Sequence, residues 1–266
     1  MGETRELIKK VSYGVVGSMV DLLIWQVALV GASFGKTGSR GVYQAFREAN
    51  QVLEKVNHRS LAATWHQLLK KNLLTYKKRK NLYSPEITEY GRKRLAESIP
   101  SYQKERPWDG KTYLITYDVP EGAKIKRDRF RRFLMQANSR KLTESTYLTI
   151  YNPRKLITDF ISERKIPGTI IVSDMGQDGG IGEETLQDLL VRVYQLADIN
   201  KRYEDFIKNA INLSIPIINL LFEYLSILKD DPQLPFELLP KDWSGDKAYE
   251  QYLTLKRKYI NSYAIA

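Results

Sequence analysis

The sequence predicts an α+β protein of three domains, and three observations carry that prediction. Apolar residues at helical spacing run to about residue 70 and give way to a strongly basic alternating stretch, "LLTYKKRKNLYSPEIT" (73–88). Beyond "SIPSYQKERPWDG" (98–110), whose prolines and glycine mark a boundary, strand-like and helix-like segments alternate. Residues 183–266 then return to helical periodicity.

At 266 residues and 42% hydrophobic content the chain is long enough for several compact cores and too apolar to stay unfolded. It contains no Cys, which excludes disulfides, thiolate zinc sites, iron–sulfur clusters and a cysteine nucleophile, and sets a cytoplasmic expectation. The net charge of +11 is unevenly placed. Residues 1–100 carry 17 Lys and Arg against 8 Asp and Glu, residues 101–175 carry 15 against 9, and residues 176–266 carry 10 against 14. A basic front is what a nucleic-acid binder presents, although an anionic membrane surface would be drawn to it as well.

Element by element, the N-terminal region opens with the apolar stretch Val11–Val30. Asp21 at its centre argues against a membrane span, because an ionised carboxylate there costs roughly 2.5–3.5 kcal/mol on insertion. A buried helix of a soluble domain is the expectation, with no membrane partner. A second helix is expected over Val42–Val56, and a third over "HRSLAATWHQLLKKN", with Leu61, Trp65, Leu68 and Leu69 on one face and His58, Arg59, Ser60, Ala63, Gln67 and Lys70 largely outside. Two short strands flank Lys77, Lys78, Arg79 and Lys80, and "EYGRKRLAES" closes with a helical turn. Three helices followed by a basic hairpin is the order of a winged helix-turn-helix over residues 1–98. There the third helix would read the major groove and the hairpin tip would neutralise phosphates of double-stranded DNA. A solvated hairpin on a generic helical bundle is the alternative for the charge run.

A linker over 99–110 precedes a central domain over 111–182. "KTYLITYDVP" reads as a strand ended by Pro120, and "AKIKRDRFRRFLMQAN" as a basic amphipathic helix with Phe130, Phe133 and Leu134 inward. "STYLTIY", "PRKLITDFISER" and "GTIIVSD" continue as strand, helix and strand, an order that suggests a small ferredoxin-like domain. "ETLQDLLVRVYQL" is a further helix or a passage from helix to strand. The C-terminal domain, 183–266, is helical and includes the apolar stretch "INLSIPIINLLFEYLSIL" (211–228), expected as one helix for a core, a dimer interface or a ligand pocket.

Chemistry-bearing residues are few. "GQDGGIGEE" (176–184) lacks the Lys-Ser/Thr of a phosphate loop. His58 and His66 lie eight apart on one helix, which is not ligand spacing. No cofactor is expected.

"WDGKTYLITYDVPE", "RDRFRRFL" behind it, and above all "DPQLPFELLPKDWSGDKAYEQY" resemble the PaaX-type transcriptional repressors, named for the phenylacetate-degradation repressor, of which this chain would be a distant member. The resemblance implies an N-terminal winged helix, a central domain similar to the small CRISPR-associated ferredoxin-like endonuclease, and a helical C-terminal region. It also implies a DNA-binding homodimer and an aryl-CoA thioester as small-molecule effector. Asp118 stands where that nuclease family keeps its metal-binding aspartate, so a Mg²⁺-dependent nuclease with Asp118 as catalytic and metal-binding residue is the enzymatic alternative. An Asp before Val-Pro is equally ordinary turn chemistry.

Overall fold

The computed structural model describes residues 8–10, 12–30, 58–79, 82–175, 185–213 and 215–264. The first half of the chain contributes α1 (Met19–Val30), α2 (His58–Lys70), β1 (Leu74–Arg79), β2 (Leu82–Ile87) and α3 (Glu89–Ser98). Then come β3 (Thr112–Asp118), α4 (Lys124–Gln136), β4 (Arg140–Lys141), β5 (Thr146–Thr149), α5 (Arg154–Arg164) and β6 (Thr169–Met175). The chain closes with α6 (Leu186–Val193), α7 (Leu196–Asn212), α8 (Ile217–Asp230) and α9 (Gly245–Ala264). The helix expected over Val42–Val56 and the glycine-rich stretch 176–184 lie outside the described residues.

The chain divides into two compact units. One comprises Met1–Tyr102, Lys201–Asp230 and Ser244–Ala266, the other Gln103–Asn200 and Asp231–Trp243.

In the first unit α1 is a central helix, with Leu22 through Val27 all buried. It packs against α2, β2, α3 and α9, which leaves little of it to solvent beyond Ala28, and its sequence is accordingly apolar on nearly every side. Among the described residues no helix is long and apolar enough to cross a membrane. Asp21 is held at the start of α1, where its carboxylate accepts from the Ser18 hydroxyl at 2.6 Å and from Arg94 Nε at 2.8 Å. The Trp25 ring lies 4.4 Å from that of Phe222, and Gln26 Nε2 donates to the Tyr259 hydroxyl at 3.2 Å.

The apolar stretch 211–228 is not one helix. α7 runs on through Asn212, Leu213 takes a left-handed conformation (φ 46), and Pro216 stands just ahead of α8. A proline removes a helix-interior hydrogen bond and clashes with the preceding turn, so the second helix starts after it. α8 then buries eight residues, among them Phe222 and Tyr224, and Tyr224 stacks on Tyr252 of α9 at 4.5 Å. Burial pushes the Tyr252 hydroxyl up to about 12.

The second unit is built on a four-stranded sheet of order β4-β5-β3-β6, with every neighbouring pair antiparallel. Its β-α-β-β-α-β connectivity is that of the split β-α-β arrangement. β4, only two residues long, is invisible to any periodicity argument. Side chains alternate between faces along β3. Ile115 and Tyr117 join Tyr147, Phe130, Leu134 and Ile157 in one core beneath α4 and α5. Leu114, on the other face, packs with Leu148, Leu190 and Tyr194 in a second core that Leu234, Leu238 and Leu239 complete. "ETLQDLLVRVYQL" is therefore a helix (α6) that turns into α7 at Gln195, in left-handed conformation at φ 55. α6 and the segment 231–243 cover a sheet face that would otherwise lie open. Residues 99–111 form no regular element, yet Arg106 is buried there, donating to the carbonyls of Gln103 and Leu234 at 3.0 and 3.1 Å.

Candidate nucleic-acid interface

The described part of the candidate interface rests on α2 and the β1-β2 hairpin. Leu61, Trp65 and Leu68 are buried and Leu69 half-buried, as an amphipathic helix of period 3.6 requires. Arg59, Ser60, Ala63, Gln67 and Lys70 are all exposed. At 100° per residue these five fall within an arc of about 100°, one continuous outward stripe. His66, which sequence reasoning left off this face, is also exposed and borders the stripe; its position four residues before Lys70 is the signal that could have found it. His58 opens the helix, and its side chain lies outside the described residues.

Hairpin and helix are tied at their base. Trp65 Nε1 donates to the Tyr76 hydroxyl at 2.8 Å, which fixes the first strand against the buried side of α2. β1 and β2 pair antiparallel from Leu74↔Ile87 to Arg79↔Leu82. Lys77 is exposed and reaches Glu86 at 3.9 Å, a surface pair of little energetic weight. Lys78 and Arg79 belong to β1, with side chains outside the described residues; Lys80 lies wholly outside them.

The closing segment "EYGRKRLAES" gains a physical reason. Thr88 caps α3, accepting from the Gly91 amide at 3.1 Å while its hydroxyl donates to the Asn72 carbonyl at 2.5 Å. Arg92 donates to the Ile87 carbonyl at 3.1 Å. Gly91 is buried, and a Cβ on it would sit 2.2 Å from the Leu73 carbonyl oxygen and 2.7 Å from Ile87 Cγ1. Only glycine lets α3 approach the root of the hairpin so closely.

Asp118 ends β3, exposed, at a cleft of about 450 Å³ lined also by Thr116, Arg127, Arg131, Glu144 and Thr169. It pairs in register with Thr169 on β6. Gly168, which leads from α5 into β6, passes close by: it has φ +101, and a Cβ there would meet the Asp118 carbonyl oxygen at 2.0 Å. Sequence reasoning missed Glu144, the second carboxylate of the cleft, because it arrives from a loop 26 residues further on. Lys141 Nζ donates to Glu144 at 2.5 Å and Arg131 at 3.4 Å, and the Lys141 ammonium holds the Glu144 carboxyl below its ordinary range. Arg131 also donates to the Tyr117 hydroxyl at 2.7 Å. Among the described residues no three His, Asp or Glu side chains come together as a metal site, and of the two carboxylates in the cleft Glu144 is already paired with Lys141 and Arg131, a sparse donor set for a hard divalent ion.

The string "DPQLPFELLPKDW" does structural work. Leu234 is fully buried, the Asp231 carboxylate accepts from the Gln233 amide at 2.7 Å, and the Leu239 carbonyl accepts from Gln187 at 3.0 Å.

Residues 105–185 match the family model of the PaaX protein central Cas2-like domain, and residues 194–263 match that of the PaaX-like protein C-terminal domain. No curated protein matches the sequence. Among solved structures, the uncharacterized protein Rv0674 from Mycobacterium tuberculosis is similar at a TM-score of 0.60 and 14% identity, over 92% of this chain and 98% of that one, a likeness of fold alone.

Proposed function

Because this chain belongs to the PaaX-like proteins, a family of regulators, we propose that it is a cytoplasmic transcription regulator that binds specific sites in double-stranded DNA. In this reading residues 1–98 are a winged helix-turn-helix, with α2 in the major groove and the β1-β2 hairpin along the phosphate backbone. The linker 99–110 leads to a ferredoxin-like domain over 111–182 and a helical domain over 183–266. The protein acts as a homodimeric repressor released by a small molecule, an aryl-CoA by family resemblance.

The observation that carries the reading is the exposed stripe of α2. It sets one long, fork-ended donor, Arg59, among Ser60, Ala63 and Gln67, short enough to let a helix backbone approach base edges. The test uses a duplex selected from a random pool for tight binding to the wild-type protein. Arg59→Ala should weaken binding to that duplex by about 1–3 kcal/mol and binding to arbitrary duplexes little. Equal losses on both would remove α2 from the groove.

A metal-dependent nuclease is the second reading, favoured by the Cas2-like match and by Asp118 at the mouth of a cleft. The neutralised Glu144 weighs against it.

A further inference from the structure

The basic helix α4 takes no part in the interface built on α2. Six of its thirteen residues are Lys or Arg, against the single acid Asp128. The helix is seated on the sheet by the fully buried Phe130 and Leu134, and by Phe133, whose ring stacks on Phe160 at 4.0 Å. With that side fixed, Lys124, Arg129 and Arg132 project outward, all exposed. Lys124 and Arg132 are eight residues apart, roughly 12 Å along the helix axis. Of the other three cations, Arg131 is occupied by Tyr117 and Glu144, Lys126 by the Lys165 carbonyl at 2.8 Å, and Arg127 is half-buried at the lining of the Asp118 cleft. Among the described residues Lys124, Arg129 and Arg132 have no carboxylate partner; the acid on their own helix, Asp128, lies 3.9 Å from Arg131.

Three uncompensated cations on a rigid helix repel one another and attract a polyanion. A helix that settles into a lipid surface draws on a buried apolar face as well as on charge. The large apolar residues of α4 are committed to the core, and those left exposed, Ile125 and Met135, lie at opposite ends. Duplex DNA needs no such face and offers a negative charge every 1.7 Å or so of its axis, dense enough for a 12 Å row to meet several phosphates. We infer that α4 is a second, sequence-independent contact for the duplex DNA backbone, through Lys124, Arg129 and Arg132. The inference rests on the DNA-binding reading but not on α2 or the hairpin.

The test compares the full-length wild type with K124Q/R129Q/R132Q on an arbitrary duplex at several NaCl concentrations. The triple variant should lower the slope of log affinity against log salt by about 2–3 units, at roughly 0.9 per lost contact, with its thermal unfolding unchanged. The charge-keeping R129K/R132K should retain the wild-type slope, because counterion release counts charges. An unchanged slope in the triple variant overturns the inference. If a hairpin variant loses slope in the same assay, the regulator reading survives that failure, and if the wild type binds no duplex both fall. Binding to phosphatidylserine vesicles that disappears in the triple variant, with DNA binding intact, would assign α4 to a lipid surface and overturn the inference too.

Discussion

Helices α2 and α4 have the same length, thirteen residues, and opposite outward faces. α2 presents Arg59 and Lys70 at its ends with small or neutral residues between them, whereas α4 presents long cations along its length. Both are anchored by a buried aromatic residue, Trp65 in one and Phe130 in the other. The difference separates two demands that net charge merges. Base edges are read by a few directed donors on a backbone slim enough to enter a groove about 12 Å wide. Phosphates are gripped by charge alone, and crowding of long side chains does no harm. In the proposed reading α2 decides where the protein binds, while α4 and the hairpin decide how tightly.

The largest effect that would test this division is removal of an anchor. Trp65 is 2% exposed and ties α2 to Tyr76, so Trp65→Ala should lower stability by about 3–5 kcal/mol in urea unfolding and erase the preference for the selected duplex. Phe130→Ala should destabilise by a similar amount and leave the selected-to-arbitrary affinity ratio of the remaining folded protein unchanged. Equal erosion of the ratio by both would collapse the distinction between the helices.

Smaller in free energy is the hairpin. Replacing Lys77, Lys78, Arg79 and Lys80 with Ser should weaken selected and arbitrary duplexes by similar factors and lower the salt slope by about 2–3 units, two or three of the four reaching phosphates together. Folding should barely change, because exposed charges add little stability. A wild-type slope in this variant would take the hairpin out of the account.

The smallest expected effect is none. With Mg²⁺ or Mn²⁺ the wild-type protein should leave DNA and RNA intact on a gel, and Asp118→Asn should bind duplex as the wild type does. Metal-dependent cleavage that vanishes in Asp118→Asn would turn the unit carrying α4 from a grip on the backbone into a phosphodiesterase.

What was legible in the sequence is what local periodicity encodes. The buried faces of α2 and α4, with Leu61, Trp65, Leu68, Phe130 and Leu134, repeat every three or four residues over several turns, a pattern strong enough to place Arg59, Ala63 and Gln67 outside. The family resemblance was legible in "LLPKDW", though as a string rather than as packing. What stayed hidden is set by partners distant in the chain. Asp21 meets Arg94 across 73 residues, and Leu234 finds its core beside Leu148. The break at Leu213 was hidden differently, because an apolar run looks the same whether or not a turn interrupts it, and Pro216 was the one local sign. The carboxylates of the cleft, Asp118 and Glu144, come together only through the pairing of β3 and β5.

A backbone oxygen, that of Leu73, occupies the space where a side chain at position 91 would begin. The angle between α3 and the hairpin is thus set by main chain resting on main chain, with nothing adjustable in between. Even a methyl group there acts as a wedge, prying the hairpin from its seat while every cation on it stays in place. In a binding assay Gly91→Ala would imitate the loss of a DNA contact, although residue 91 is buried and can touch no DNA.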